Sequence, residues 1–188
     1  MILALEKIHE LECKEDYPAA IDELEEYLRI NPNSAEAVIR LGFNLWYAVE
    51  GADRMRKTLP MEKYSARFME LFNTYRKILW NNSDFCHSFG LGLNLFYYYF
   101  VPDAKDIKVL KSYELLGKRL LRRARKIDPF WKTFCPEMGF WGRLLFRLSP
   151  KLYFKKKKKN KAEEDKIYAE AKIRLGGRGI LAKYYNIA

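Results

Sequence analysis

Seven cations crowd one short stretch of this chain: Lys108, Lys111, Lys118, Arg119, Arg122, Arg123 and Lys126. A helix turns about 100° per residue, so Lys108, Lys111, Lys118, Arg119, Arg122 and Lys126 fall on one side. Leu110, Tyr113, Leu116, Leu120, Ala124 and Ile127 fall on the other, with Arg123 and Arg125 flanking the basic face. Such a face performs no covalent chemistry. It supplies a fixed positive field that steers an anionic surface into contact. These seven residues are therefore the expected partner-binding set.

Residues suited to catalysis are few and scattered. His9 and His87 are the only histidines, and Cys13, Cys86 and Cys135 lie far apart. Cys86 and His87 adjoin, but neighbours on a helix do not face each other, and the pair reads as buried structure. Gly90-Leu91-Gly92 and Gly176-Gly177-Arg178-Gly179 lack the Lys-Ser/Thr of a phosphate loop and follow no clear strand. Glu23, Glu25 and Glu26 cluster without the spacing of a calcium loop, as a solvated face does. No catalytic residue, metal ligand or cofactor is expected, and the chain reads as a non-enzyme.

The charge distribution narrows the partner. Residues 1–36 hold three Lys/Arg against ten Asp/Glu, whereas residues 105–161 hold nineteen Lys/Arg against four Asp/Glu. The first expectation is one protein partner with an acidic surface. RNA or DNA, taken up by helix 105–127 and Lys155–Lys159, is the alternative. Against it, aromatics suited to base stacking are not interleaved with the cations. A membrane surface comes third. In 140–161, aromatics adjoin a lysine run, but Pro150 divides the would-be amphipathic helix. The odd, dispersed cysteines and the acid at Glu6, directly after Met1–Leu5, suit a cytoplasmic protein without a secretory leader.

The elements that must present these residues are helices. Hydrophobic content of 49%, with 15% aromatic, is enough for a sizeable core and excludes a wholly disordered chain. Helical spacing of apolar residues predicts helices over about 2–13, 17–30, 34–50, 61–80, 84–100, 104–127 and 163–175. Gly51 is expected to stop the third, and Ser83 or Asp84 to cap the fifth. Asn31-Pro32, Asn81-Asn82 and Asp128-Pro129 break the chain between them. Gly42 lies inside the third helix, where glycine costs about 1 kcal/mol relative to alanine. It is expected where a neighbouring helix approaches too closely for a Cβ.

The stretch from Asp16 to Trp46 resembles a tetratricopeptide repeat. Ala20 is the small residue, Leu24 the bulky apolar one, Pro32 the turn proline, and Leu41-Gly42 the Leu-Gly pair of the next unit. Val38 and Leu45 replace the usual Trp and Tyr. Leu91-Gly92 echoes that pair further on, but the turns lie roughly 47 to 50 residues apart, longer than a regular repeat. The resemblance implies an all-α fold of antiparallel helix pairs, stacked as a short solenoid with a concave binding face. One domain over 1–188 follows: helix pairs over 1–130, then a basic, aromatic segment, a lysine-rich loop and a capping helix over 131–188. Fold-level analogy with small helical scaffolds points to an adaptor, a chaperone or a toxin-neutralising immunity protein.

Overall fold

A computed structural model describes residues 2–55, 60–95, 97–100, 106–134 and 161–178. Among them every regular element is a helix: α1 (Ile2–Cys13), α2 (Tyr17–Ile30), α3 (Ala35–Met55), α4 (Met61–Tyr75), α5 (Ser83–Leu95), α6 (Tyr97–Phe100), α7 (Ile107–Ile127), α8 (Pro129–Phe134) and α9 (Lys161–Leu175). The fold is all-α. Lys155–Lys159, Cys135, Pro150 and residues 179–188 lie outside the described residues.

Local chemistry sets the boundaries. The end of α1 is closed by two backbone bonds, Asp16 N–H to Leu11 O at 3.0 Å and Glu15 N–H to Glu12 O at 3.1 Å. This pair defines a Schellman motif, and Glu15 takes its left-handed position at φ 60°. Asp16 then caps α2 by accepting the Ala19 N–H, and Pro18 fits the first turn, where no N–H is needed. Ser34 caps α3 through the Ala37 N–H at 3.3 Å. Asn82, rather than Ser83 or Asp84, caps α5 through the Phe85 N–H at 2.9 Å. Asp106 and Asp128 do the same for α7 and α8, through Lys108 and Phe130.

Two expected endings are corrected. The third helix does not stop at Gly51 but runs on to Met55, since glycine inside a helix weakens it without breaking it. The fourth ends at Tyr75, and the chain reaches Asn82 through turns closed by Leu79 N–H to Tyr75 O and Asn82 N–H to Leu79 O.

The core is aromatic and runs through α3, α4 and α5. Trp46, Phe43, Phe68, Phe72, Phe85 and Phe89 are fully buried. Phe89 lies 4.9 Å from Phe68 and 4.5 Å from Phe85, ring centre to ring centre, the range in which offset and tilted pairs attract. Gly42 lies where two helices touch, as expected: a Cβ there would come within 2.8 Å of the Phe89 ring. The caps Ser34 and Asn82 fix how the units correspond. Gly90, not Gly92, stands the same eight residues past its cap as Gly42 does. A Cβ on Gly90 would press on Leu120 and Leu121 of α7.

A close approach to backbone is made at Gly117 in α7. A Cβ there would lie 2.8 Å from the Asn94 Cα and from the Leu93 carbonyl carbon, both backbone. Gly117, Leu120, Leu121 and Ala124 are buried against α5, which fixes the direction of the opposite, basic face.

Candidate cationic binding face

That opposite face carries six of the seven expected residues. Lys108, Lys111, Lys118, Arg119, Arg122 and Lys126 are all exposed. Asp106 anchors the N-terminus of α7, and the helix ends at Asp128, whose N–H bonds to Ala124 O at 2.9 Å. Arg125 and Lys126 occupy its last turn, where cations suit the negative end of the helix dipole.

The seven residues are not equivalent. Arg123 is turned inward to the turn before α5. Its Nε–H donates to Trp80 O at 2.8 Å, its Nη2 to Asn81 Oδ1, and its guanidinium stacks 4.9 Å above the Trp80 ring. It fastens α7 to the rest of the fold. Lys118 pairs with Glu114 one turn away, so part of its charge is answered locally. Lys108, Lys111, Arg119 and Lys126 have no acidic partner among the described residues. Nor is the face uniformly cationic. Leu115 stands among the lysines with 53% of its surface exposed.

A second ionic site gave no signal in the sequence. Arg178 grips Glu36 with Nε and Nη2, at 2.6 to 3.1 Å, and reaches Asp84 Oδ2 at 2.8 Å. Arg174 bonds Asp84 Oδ1 at 2.8 Å and Asp128 Oδ2 at 2.5 Å, and stacks 4.4 Å above Phe130. Trp131 donates its indole N–H to Asp84 at 3.0 Å. Burial raises the Asp84 carboxyl, but Arg178 and Arg174 more than offset this and hold it below the usual range. Arg174 of α9 and Arg178, three residues beyond its end, thus clasp the starts of α3, α5 and α8.

The acids of the first helices are not simply a solvated face. Glu12 is fully buried and takes both Arg40 nitrogens, at 3.1 and 2.8 Å, and the Asn44 amide at 2.8 Å. Glu25 holds Arg67 at 2.6 and 2.7 Å, Glu23 pairs with Lys7, and Glu26 with Arg29. Beside the Glu25–Arg67 pair lies an open cleft of about 780 Å³ between α2 and α4, lined by Ile21, Asp22 and Tyr64.

Among the described residues the cysteines and histidines fall into two pairs. Cys86 and His87 are both buried, as expected. The Cys86 thiol donates to Trp80 O at 3.3 Å, and burial pushes it up to about 11. His87 stacks on Trp131 at 3.6 Å, and burial pushes it down to about 3. His9 and Cys13, expected to be scattered, meet one turn apart at 3.7 Å on α1. No helix among the described residues is long and apolar enough to cross a membrane. Comparison with protein-family models, with curated proteins and with solved structures found no match for this chain.

Proposed function

We propose that this chain is a non-enzymatic protein-binding module, a degenerate tetratricopeptide-like stack of helix pairs that holds one protein partner with an acidic surface. One observation carries the reading. Lys108, Lys111, Arg119 and Lys126 project from a single helix with no acidic partner among the described residues, while Gly117 locks the far side of that helix to α5. A fixed cationic face on which four charges have no acidic partner among the described residues attracts an anionic surface over a range of about 8–10 Å at physiological salt. The repeat reading draws support from the matched caps Ser34 and Asn82 and the matched glycines Gly42 and Gly90. An adaptor, a chaperone or a toxin-neutralising immunity protein, acting in the cytoplasm, would use such a module.

The test is to recover the partner from the native cell and titrate it at two salt concentrations against wild type and Lys111→Glu/Arg119→Glu. The double variant is expected to weaken binding chiefly by slowing association, and added salt to weaken the wild-type complex. Equal affinity of both proteins at both salts would return the face to plain solvent. RNA or DNA as partner would instead give a linear fall of log affinity with log salt, with a slope of about −0.7 to −0.9 per phosphate neutralised, and little dependence on sequence.

A further inference from the structure

The basic face is organised as a stripe with an apolar centre. Lys108, Lys111, Leu115, Lys118 and Arg122 follow one another at alternating steps of three and four residues, the spacing that keeps side chains on one line of a helix. The stripe is about 21 Å long at 1.5 Å per residue. Leu115 is its midpoint, 53% exposed among cations. Ile107, 60% exposed, stands two turns earlier at the edge of the same surface. Solubility does not call for a leucine there, and the buried side of α7 is already filled by Gly117, Leu120, Leu121 and Ala124.

We propose that this stripe is the docking track for a single acidic amphipathic helix of the partner, laid lengthwise along α7. Its central apolar side chain covers Leu115, and its carboxylates meet the lysines a turn to either side. The inference rests on the reading of α7 as the partner-binding face and names the shape of what binds. Charge complementarity selects an acidic occupant, and the three-four spacing selects a helix, which repeats its own side chains at the same interval. The leucine selects a peptide over a nucleic acid. A phosphate backbone has no use for an aliphatic contact, and base stacking needs aromatic rings, of which the stripe has none. An anchor ringed by charges is also the arrangement in which a few central residues dominate affinity, once the rim excludes water.

The experiment uses the full chain and two synthetic 18-residue helical peptides with the same number of glutamates. One peptide carries leucine at its centre and the other serine. Wild type is expected to bind the leucine peptide about ten-fold more tightly, roughly the worth of one leucine removed from water. Leu115→Gln is expected to erase that preference, and Leu115→Ala to reduce it; Leu115 is half exposed, so both variants are expected to leave the melting temperature in place. Lys111→Glu/Arg119→Glu is expected to weaken both peptides alike. Equal binding of the two peptides to wild type, or a leucine preference that survives Leu115→Gln, would overturn the track. In that case, weakening by the charge reversal would still leave the acidic-partner reading standing. Binding of an RNA duplex but of neither peptide would overturn both.

Discussion

Glu36 and Asp84 stand at the same place in two successive units, two residues past the caps Ser34 and Asn82, and the guanidinium of Arg178 holds them both. Each acid lies in the first turn of its helix, where a carboxylate is favoured by the exposed N–H groups. The α2–α3 and α4–α5 junctions are thereby built alike and brought side by side.

Arg178→Ala should therefore loosen the docking of α9 as a whole. Over residues 165–175 of α9 only Ala171 and Leu175 are buried, and Ile173 is left almost fully exposed. Charged hydrogen bonds contribute about 1.5–3 kcal/mol each, so a loss of about 2–3 kcal/mol is expected. Arg178→Lys should recover only part of it, because a lysine does not span both carboxylates. Thermal melts and limited proteolysis within α9 would check this. Unchanged melts and unchanged protection would remove the clasp from the account of stability.

Acid should act on the same contacts. The folded Asp84 carboxyl titrates below its unfolded value of about 3.9, so its contribution is complete above that pH and is lost as pH falls below it. His87 acts over a different window. It is neutral and buried when folded, with its pKa lowered to about 3, and protonates near 6.5 once unfolded. Stability is thus expected to fall from about pH 6.5 down toward 3, by up to about 1.4 kcal/mol per pH unit. His87→Phe keeps a ring against Trp131 and should flatten that limb in urea titrations at pH 7, 5 and 4, leaving the Asp84 fall below pH 4.

Gly42 and Gly117, both tightly enclosed, should differ in cost. At Gly42 an added methyl meets the edge of the Phe89 ring, which can tilt. At Gly117 it meets the backbone of Leu93 and Asn94, which cannot move without parting α5 from α7. Gly42→Ala is expected to cost about 1–2 kcal/mol, and Gly117→Ala 3 kcal/mol or more. Urea midpoints would rank them, and the reverse order would refute this view of the α5–α7 contact.

Gly42 could be read from the sequence because its surroundings, Pro32, Ser34 and Leu41, form a local pattern. The turns at Asn31-Pro32, Asn81-Asn82 and Asp128-Pro129 and the two-sided α7 were legible for the same reason. Gly117 was not, since it sits in a regular apolar stripe with no turn beside it. Nor were Glu12, Arg40 and Asn44, or the α9 clasp. Arg178 and Glu36 are 142 residues apart, and α9 has no apolar stripe to betray a docked face. A charged residue that ends up buried looks, in sequence, like one left in water. On the cationic face the sequence identified the residue types but not their commitments, as Arg123 illustrates.

Arg119 and Arg123 lie one turn apart on α7 and carry the same charge, and their opposite roles make a controlled comparison. Arg119 is exposed with no acidic partner among the described residues. Arg123 donates to Trp80 O at 2.8 Å and covers the Trp80 ring, tying α7 to the turn before α5. Arg123→Glu would remove a charged hydrogen bond and a cation–ring contact, and would turn a carboxylate toward a carbonyl. A loss of about 2–3 kcal/mol is expected. Arg119→Glu should change stability by less than about 0.5 kcal/mol, as surface changes without partners do. In binding the order should reverse: Arg119→Glu slows association with an acidic peptide, and the effect fades as salt rises. Paired urea melts and stopped-flow association at two salt concentrations separate the two roles. Equal effects of both variants on stability would mean that Arg119 has a structural partner, and the binding face would have to be redrawn without it.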